Sequence, residues 1–391
     1  MAAADRGGAV EALSGARRTE PPSRVLQVLA TSTGGVGAHV RDLTQGLVAA
    51  GVAVTVCGPA ATAERFGFAE VGAEFRPVEI SANSQLSDAR AVGALRRVIA
   101  AADPAVVHAH GLRAGLVAAM SGRSRASRRP LVVTLHNAVL SRGLRGGASR
   151  LVERAVTRNA DVVLGASADL VARAAGLGAA DARLGPVAAP ALSPPVRSAA
   201  AVRAELGIAP ETPLLLSVGR LHPQKGYDVL VAAAARWRDR RPVPRVVIAG
   251  NGPSYLDLTA KISVSRAPVT LLGHRDDVAD LLAAADVALV TSVWEARQLF
   301  AQEALRAGVP LVATAVGGLP ELVGGAAVLV PPGDAAAIDA AVSGLLDDPA
   351  HRARLVQAAS DQTAGWPTSA ETVAQVLGVY AELAGVPAAG A

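Results

Sequence analysis

The stretch DVALVTSVWEARQLFAQEALRAGVPLVATA, residues 286–315, contains a complete strand–helix–strand unit and decides the predicted fold. Its two strand-like runs, 286–291 and 310–315, are apolar at consecutive positions rather than at alternate ones. Continuous apolar strands are typical of a parallel sheet that helices cover on both faces. Glu295 and Glu303 interrupt this pattern, one at the exit of the first strand and one on the helix. These two carboxylates either carry chemistry or only favour the start of the helix.

The same alternation of apolar runs and Ala-rich helical segments continues through both halves of the 391-residue chain. In the first half we predict strands at RVLQVLA (24–30), VAVTVC (from 52), AVVHAH (105–110), LVVTLH (131–136) and DVVLGA (161–166). In the second half we predict them at PLLLSVG (213–219), RVVIAG (245–250), VTLLG (269–273), DVALVT (286–291), PLVATA (310–315) and AAVLVP (326–331). This pattern indicates an α/β protein with two Rossmann-like, doubly wound domains that face a central cleft. Such sheets bind ligands at the carboxyl ends of their strands, so we expect the functional residues there.

A Pro-rich segment without periodicity, GPVAAPALSPPVRS, separates the two halves and is typical of a linker. An amphipathic pattern resumes near the C-terminus, with Thr368 or Ser369 as the expected helix N-cap. We therefore predict a disordered tail (1–22), a first domain (23–190), a linker (191–200), a second domain (201–365) and a C-terminal helix (366–385) that packs back towards the first domain.

Composition narrows the class of protein. Hydrophobic residues make up 51% of the chain but aromatic residues only 3%, so Ala, Val and Leu must fill the cores. No apolar stretch reaches the length of about 18 residues that a membrane-spanning helix needs, and the N-terminus lacks the apolar part of a secretory signal. Cys57 is the only cysteine, which excludes a disulfide framework and a cysteine metal cluster. These features predict a cytoplasmic protein.

Charge is distributed unevenly between the two halves. Residues 1–197 contain 23 Lys+Arg against 14 Asp+Glu, whereas residues 198–391 contain 15 against 19. Much of the excess comes from SGRSRASRRP (121–130) and from the arginines that follow it, Arg142, Arg145, Arg150 and Arg154. A basic first half indicates either an anionic partner, such as a phosphorylated acceptor or an acidic membrane surface, or only a solvated Arg-rich face. Nucleic acid is disfavoured, because the basic region has almost no aromatic residues for base stacking.

Two strand exits predict contacts with phosphate. The first strand runs into TSTGGVGAHVRDL, where Gly34 and Gly35 precede a helix expected to begin near residue 38. Glycines let backbone amides approach an anion, although the same turn also serves tight packing. A dinucleotide site is disfavoured, since the second strand ends without the acidic residue that would hold a ribose. In the second half, Arg220 and Lys225 lie directly past a buried strand in SVGRLHPQKGYDVL, where they can neutralise a diphosphate.

Other strand exits carry weaker signals. Gly250 and Gly252 follow a strand in IAGNGPSY, and His274 and Arg275 follow the next one in LLGHRDDV. The backbone at these positions can meet a flat base edge, although the sequence alone favours a half-exposed loop histidine for His274. His110 and His136 close two neighbouring strands of the first half, in VHAHG and TLHN. Histidines at such places are often only satisfied polar groups, but two that face one cleft favour contacts with a sugar.

The set GGVGAHV, GRLHPQKG, AGNGP, GHRDDV and WEARQLFAQEALRAGVPLVATAVGGLPELV resembles the retaining nucleotide-sugar glycosyltransferases of the GT-B fold, family four (glycosyl transferases group 1). The resemblance runs from about Arg24 to the final helix. Its most specific part is the pair of glutamates with seven residues between them, followed by A-x-x-x-G-V-P and GGLPE. The resemblance implies an acceptor-side first domain and a second domain that binds the nucleotide sugar.

The resemblance also implies roles for individual residues. Glu295 would contact hydroxyls of the donor sugar, Glu303 would bind the ribose, and His136 would lie beside the transferred sugar. Arg220 and Lys225 would hold the diphosphate as it leaves, helped by amides at Gly35. The nucleotide-binding set that we predict is Gly34, Gly35, Arg220, Lys225, Gly250, Gly252, His274, Arg275 and Glu303, while Gly317, Gly318 and Glu321 would support the same pocket.

The predicted reaction is a retaining, metal-independent transfer of a hexosyl unit from a UDP- or GDP-linked sugar to a hydroxyl of an anionic acceptor. No D-x-D arrangement that could hold a divalent metal occurs in the chain, and no further cofactor is expected. The acceptor would be an inositol phosphate, a lipid or a glycan intermediate. Residues 296–298 (Ala-Arg-Gln) replace the Gly and aromatic residue that usually follow the first glutamate. This change permits a non-catalytic nucleotide-sugar-binding protein as an alternative. A GT-B sugar-nucleotide epimerase is a second alternative.

Overall fold

A computed structural model describes residues 22–385, except 33, 82–87, 123–127, 139–142, 186 and 189–192. The predicted tail lies almost wholly outside the described residues, as do Arg142 and parts of the basic stretch and of the linker. None of the helices in the described part is both long enough and apolar enough to cross a bilayer.

Two parallel sheets form the framework. The first sheet has the strands β1 (Arg24–Leu29), β2 (Ala53–Gly58), β3 (Glu74–Pro77), β4 (Val106–His110), β5 (Leu131–Leu135), β6 (Val162–Gly165) and β7 (Ala182–Leu184), in the order β3-β2-β1-β4-β5-β6-β7. The second has β8 (Leu214–Val218), β9 (Arg245–Ala249), β10 (Val269–Gly273), β11 (Val287–Val290), β12 (Leu311–Thr314) and β13 (Ala327–Val330), in the order β10-β9-β8-β11-β12-β13. The predicted architecture of two doubly wound domains is therefore confirmed.

Helices cover both faces of each sheet. Those of the first half are α1 (Gly35–Ala49), α2 (Ala60–Phe66), α3 (Asp88–Ala102), α4 (Leu112–Ser121), α5 (Gly143–Asn159) and α6 (Ala168–Gly176). Those that follow are α7 (Ala199–Glu205), α8 (Tyr227–Ala234), α9 (Tyr255–Ser265), α10 (Val278–Ala284), α11 (Leu299–Arg306), α12 (Leu319–Val323), α13 (Ala335–Asp347), α14 (Pro349–Ala364) and α15 (Ser369–Ala384). Short 3₁₀ turns occupy Phe68–Val71, Pro223–Lys225 and Ala235–Asp239. Helix α1 begins at Gly35, three residues before the predicted start, because glycines are tolerated in the first turn of a helix.

All eleven predicted strands are present, and the continuous burial of β4 and β5 shows why their sequences do not alternate. Two edge strands, β3 and β7, were not predicted. They have four and three residues, and most of their side chains are exposed or only partly buried. A short strand that buries little apolar surface leaves no hydrophobic run for sequence analysis to detect.

The C-terminal helix α15 packs against α1 and β4 of the first sheet. It begins with a capping box, in which Thr368 and Glu371 satisfy each other's backbone amides. Its fully buried Tyr380 shares a hydrogen bond of 2.7 Å with Nδ1 of His108 on β4. The chain thus returns from the second sheet to the first, and the two domains are joined both by the linker and by this helix.

Candidate functional site

The loops that follow β8 and β11 meet at an ion pair. The Lys225 ammonium nitrogen lies 2.6 Å from Oε1 of Glu295, and the hydroxyl of Ser292 donates to the same oxygen at 2.8 Å. Glu295 and Ser292 are buried, with 7% and 1% of their surface exposed. One carboxylate oxygen therefore fixes the ammonium, while the second oxygen accepts no hydrogen bond from the described residues.

Backbone contacts hold these two loops in register. Gly226 has a φ of 62°, and a Cβ on it would overlap the carbonyl oxygen of Thr291. The Thr291 hydroxyl donates to the backbone carbonyl of Lys225 at 3.0 Å, and the side-chain amide of Gln224 donates to the backbone carbonyl of Trp294 at 2.9 Å. Only glycine combines this conformation with so close an approach. Gly226 thus sets the position of the neighbouring Lys225.

Arg220 lies at the exposed end of the same loop. Between it and Lys225, His222 caps the 3₁₀ turn with its ring nitrogen 3.3 Å from the backbone nitrogen of Gln224. Burial lowers the pKa of His222, and the charges of Arg220 and Lys225 lower it further. Two cations therefore lie near one imidazole that is neutral at pH 7. Such a loop is suited to bind an anion with more than one negative charge.

Gly250 and Gly252 have a packing role in this region. Gly250 has a φ of 146°, and a Cβ there would overlap the carbonyl oxygen of Gly219. A Cβ on Gly252 would likewise overlap the carbonyl of Leu221. The exit of β9 therefore lies directly against the cation-bearing loop. The predicted contact of these glycines with nucleotide stays a prediction.

Glu303 lies on α11, two turns past Glu295, and is only partly exposed. Burial raises the pKa of its carboxyl, and the nearby charge of Arg306 offsets part of this effect. No hydrogen bond to this carboxylate occurs among the residues described. A half-buried carboxylate without a donor is costly to keep charged, so it is suited to accept hydrogen bonds from a ligand hydroxyl.

The start of α1 in the first domain faces the start of α11 in the second. A Cβ on Gly35 would lie 3.2 Å from Cδ1 of Leu299, the first residue of α11. Gly34 and Gly35 are both exposed. The hydroxyl of Ser32 accepts from the amide of Gly37 at 3.0 Å, whereas the amides of Gly35 and Val36 have no side-chain partner among the described residues. These two amides lie at the end of the helix that attracts anions.

The residues that follow β12 pack against the loop that carries Glu295. Gly317 has a φ of 52°, and a Cβ on it would overlap the carbonyl of Glu295. The amide of Gly318 donates to that carbonyl at 2.9 Å. Glu321 reaches across to the first domain, where its carboxylate accepts from the backbone amide of Ala168 at 3.2 Å. The indole of Trp294 makes a second bridge between the domains to a carboxylate oxygen of Asp169, at 3.0 Å.

His136 lies just beyond β5, beside two other imidazoles. Its Nε2 is 3.5 Å from Nδ1 of His110, and its ring centroid is 5.3 Å from that of His39. Burial lowers the pKa of His39 to about 4 and holds the pKa values of His110 and His136 well below the usual value. All three rings are therefore neutral at pH 7. Sequence analysis did not assign His39, although its place one turn after Gly35 puts it at the same edge of the sheet.

His274 and Arg275 are engaged elsewhere. The ring of His274 is largely exposed and lies 3.0 Å from a carboxylate oxygen of Asp276. The guanidinium of Arg275 pairs with Asp277 at 2.6 Å and with Glu205 at 2.8 Å. These donors are taken by carboxylates, so a contact of Arg275 with nucleotide would require an ion pair to break. The predicted contacts of both residues stay predictions.

The unusual residues after Glu295 have structural partners. Nε of Arg297 donates to the carbonyl of Val187 at 3.2 Å, and its guanidinium lies 5.8 Å from the ring centre of Trp366. Val187 belongs to the segment that joins the domains, and Trp366 precedes α15. Gln298 caps α11, because its side-chain oxygen accepts from the amide of Ala301 at 3.1 Å. Arg297 therefore connects the glutamate loop to both segments that cross between the domains.

Comparison with known families assigns both halves of the chain. The model of the glycosyl transferase 4-like domain matches residues 34–189, and that of the glycosyl transferases group 1 matches residues 212–348. The chain belongs to the group 1 glycosyltransferases. The predicted resemblance is confirmed, and Glu295, Glu303, Arg220 and Lys225 all lie within the second match.

Curated relatives of this glycosyltransferase match part of it. Glycogen synthase of Mycobacterium tuberculosis is 40% identical over 172 residues, which cover 41% of this chain and 41% of the relative. D-inositol 3-phosphate glycosyltransferase of Streptomyces avermitilis is 36% identical over 203 residues, covering 46% of this chain and 43% of the relative. The matched region is thus less than half the length of each of these relatives.

Solved structures confirm the GT-B fold. HepE from Anabaena in complex with UDP has a TM-score of 0.77 at 21% identity, over 92% of this chain and 100% of that one. Sucrose-phosphate synthase from Thermosynechococcus elongatus has a TM-score of 0.76 at 23% identity, over 92% and 99% of the two chains. At this level of identity, the likeness establishes the fold of the glycosyltransferase and not its substrates.

Proposed function

We propose that this glycosyltransferase moves a hexosyl unit from a nucleotide-diphosphate sugar to an acceptor hydroxyl, with retention of configuration and without a metal ion. The observation that supports the proposal is the Lys225–Glu295 pair, in which a cation and a carboxylate lie side by side at adjacent strand exits. Glu295 keeps one oxygen for donor hydroxyls, and Lys225 offers its remaining hydrogen-bonding capacity to the diphosphate.

Charge development on the leaving group explains why cations are needed. Glycosyl transfer passes through an oxocarbenium-like transition state while negative charge grows on the departing phosphate oxygen. Cations and helix amides that are already in position stabilise this charge without reorganisation. Arg220, Lys225 and the start of α1 supply them here, so the diphosphate needs no divalent ion. No cofactor beyond the donor is part of the proposal.

Retention rests on the family resemblance and has its own test. The anomeric configuration of the product, followed by proton NMR from the first turnovers, is expected to equal that of the donor. A product of opposite configuration would remove the retaining mechanism while leaving the transferase intact.

The donor is proposed to carry UDP or GDP. HepE was solved in complex with UDP. We assign Glu303 to ribose hydroxyls, which both nucleotides share. A thermal-shift screen of UDP, GDP and ADP with their sugars is expected to stabilise the protein with one uridine or guanosine series, because a ligand that binds only the native state raises its stability. Stabilisation by adenosine compounds alone would contradict this assignment.

The acceptor is proposed to be anionic: an inositol phosphate, a lipid or a glycan intermediate. Arg150, Arg154 and Arg158 line a surface cavity of about 280 Å³ between α5 and α6, beside the exposed Leu151. Among the residues described, none of these arginines forms an ion pair. This face is also suited to peripheral contact of a cytoplasmic enzyme with an anionic membrane surface.

Vesicle sedimentation tests whether the face that carries Arg150 and Arg154 binds an anionic membrane. Binding is expected to rise with anionic lipid and to fall in Arg150→Glu/Arg154→Glu, with Arg236→Glu, on the opposite domain, as the control. Equal binding to neutral and anionic vesicles, together with a preference for neutral acceptors, would contradict the proposal. The epimerase and the non-catalytic binding protein are not favoured, because the family and its named relatives are transferases and a synthase.

A further inference from the structure

The two residues that flank Glu295 in the chain belong to the apolar core of the first domain. Trp294 and Ala296 are buried, with 9% and 4% of their surface exposed, and they are members of the same hydrophobic cluster as Leu170 of α6. The other buried members of this cluster all lie between residues 26 and 187. The loop that carries Glu295 therefore begins on the second sheet but packs against the first domain on both sides of this residue.

A hydrogen bond between the domains fixes the orientation of the Trp294 ring. Its indole Nε1 donates to Oδ2 of Asp169 at 3.0 Å, while the other oxygen of Asp169 accepts from the hydroxyl of Ser167. A carboxylate only accepts hydrogen bonds, so it can take both donors at once. Apolar packing is not directional, whereas an indole N–H has one direction. Asp169 thus determines which way the ring of Trp294 lies.

The backbone packs closely around this ring. A Cβ on Gly317 would lie 2.8 Å from Nε1 of Trp294 and would overlap the carbonyl oxygen of Glu295. A Cβ on Gly318 would lie 2.5 Å from Cβ of Ser167, across the boundary between the domains. The residues that follow β12 and those that precede α6 therefore enclose the segment 294–296 from two sides. A shift of the indole would have to move the main chain of Glu295 with it.

A second hydrogen bond crosses the same boundary from α12. The carboxylate of Glu321 accepts from the backbone amide of Ala168, in the first turn of α6, at 3.2 Å. A carboxylate at a helix N-terminus is favourable, so this bond helps to hold the domains together. Trp294, by contrast, directly precedes Glu295 in the chain. Of the two bonds, the one to Asp169 is thus the one that acts on a neighbour of the carboxylate that we assign to the donor.

We propose that Asp169 is a positioning residue for transfer: its bond to Trp294 sets the main chain of Glu295, and with it the direction in which the carboxylate meets the donor sugar. The inference rests on the proposed function, in which Glu295 binds donor hydroxyls. Lys225 and Ser292 hold one carboxylate oxygen from the second domain, while Asp169 acts through the main chain from the first. A displacement of about 1 Å can cost roughly 100-fold in rate. Full activity therefore requires the first domain to lie in place beside the loop that carries Glu295.

Steady-state kinetics with the preferred nucleotide sugar test the role of this bond. Asp169→Leu and Trp294→Phe are each expected to lower kcat/KM by about 10- to 150-fold, the range for one hydrogen bond to a charged group. The double variant is expected to lose no more than either single variant, because both substitutions remove the same bond. Asp169→Asn should keep most of the activity, since its amide oxygen still accepts from the indole.

Trp237 provides the matched control within the second domain. Its indole donates to a carboxylate oxygen of Asp339 on α13 at 2.8 Å, so the same kind of bond occurs there without a link to the first domain. Trp237→Phe is expected to lower the melting temperature and to leave kcat/KM unchanged. Calorimetry with the nucleoside diphosphate alone should give the same affinity for Asp169→Leu and wild type, because this ligand lacks the sugar that Glu295 is proposed to contact.

Three results would overturn the proposal: normal kcat/KM in both Asp169→Leu and Trp294→Phe, additive losses in the double variant, or a loss of nucleoside diphosphate affinity equal to the loss in kcat/KM. Thermal unfolding establishes that each variant is folded, and Trp294→Phe, which keeps an apolar ring, decides the matter if Asp169→Leu does not fold.

Glu295→Gln separates this inference from the proposed function. If Glu295→Gln is inactive while Asp169→Leu is fully active, only the positioning role of Asp169 fails. A fully active Glu295→Gln would remove the proposed role of Glu295 itself, and the positioning role with it.

Discussion

The ammonium of Lys225 lies 2.6 Å from a carboxylate oxygen of Glu295, although the two residues are 70 positions apart in the chain. The pair joins the exits of β8 and β11, which are neighbours in the second sheet. Glu295 thereby restricts the most flexible cation of the site to one position before any donor binds. Pre-positioned charge is the main means by which such a site lowers a transition-state barrier.

Removal of the Lys225 ammonium should therefore lower turnover more than stability. We expect Lys225→Ala to reduce kcat by about 100-fold or more, the usual loss when one preorganised donor at developing charge is removed. Lys261→Ala is the matched control, because its exposed ammonium pairs with Asp257 on a helix surface at 2.9 Å. Steady-state kinetics of both variants provide the measurement, and equal rates would contradict a role of Lys225 at the diphosphate.

Substitution of Gly226 should reduce activity, whereas substitution of Gly207 should not, because only at Gly226 would a side chain meet a neighbouring backbone. Both have a positive φ, of 62° and 64°, but a Cβ on Gly207 meets no atom within 4 Å. An alanine in this conformation costs about 1–2 kcal/mol by itself. We expect Gly207→Ala to lose only that stability in urea unfolding, and Gly226→Ala to lose activity as well, since Lys225 must move. Full activity in Gly226→Ala would contradict the role of this turn.

The buried charge of Glu303 should lower the stability of the folded protein and strengthen its binding of the nucleotide. Burial raises the pKa of its carboxyl in the folded state, so the folded protein gains stability as pH falls through that pKa and loses it as pH rises. We expect Glu303→Gln to unfold at a higher temperature than wild type at pH 7, because it removes a buried charge. Loss of charged hydrogen bonds to the ribose, worth about 1.5–3 kcal/mol, should weaken nucleoside diphosphate binding about 10- to 150-fold.

Calorimetry at two pH values checks this expectation. Wild-type affinity for the nucleotide should fall at acidic pH, where the carboxyl of Glu303 is protonated, whereas the affinity of Glu303→Gln should change less. Unaltered nucleotide affinity in Glu303→Gln would remove Glu303 from the binding site.

Arg297 should act through the position of the glutamate loop rather than through direct contact with sugar. Arg297→Leu removes the bond to Val187 and the contact with Trp366, and hydrogen bonds from a charged group are worth about 1.5–3 kcal/mol. We expect a lower melting temperature and a several-fold higher KM for the donor. Arg297→Lys should not restore either value, because a lysine lacks the planar group that covers the indole. A change in sugar preference with unaltered stability would show instead that Arg297 contacts the donor sugar directly.

Much of the fold and part of the site follow from local sequence signals. Buried strands such as β4 and β11 are predictable because short runs of consecutive apolar residues indicate strands that are covered on both faces. Residues at the exits of such parallel strands must share one edge of the sheet. Glu295, Arg220 and Lys225 could be placed at that edge in this way. The start of α1 at Gly35 could not, since glycine is a weak indicator of a helix.

The rest depends on contacts between distant segments. His39, His110 and His136 are separated by 71 and 26 positions, so no spacing in the sequence predicts their convergence. Gly250 and Gly252 suggest a ligand loop, yet their missing side chains make room for the backbone of the preceding strand exit. The hydrogen bond from Arg297 to Val187 likewise depends on how the two domains lie against each other, which local periodicity does not encode.

Donor turnover in EDTA tests the central claim most directly, namely that fixed cations replace a metal at the departing diphosphate. With the preferred nucleotide sugar, wild type is expected to retain its full rate in EDTA, and Arg220→Ala is expected to fall about 100-fold or more without recovery on addition of Mg²⁺ or Mn²⁺. A wild-type rate that collapses in EDTA and returns with either ion, together with an Arg220→Ala enzyme of normal rate, would contradict the account.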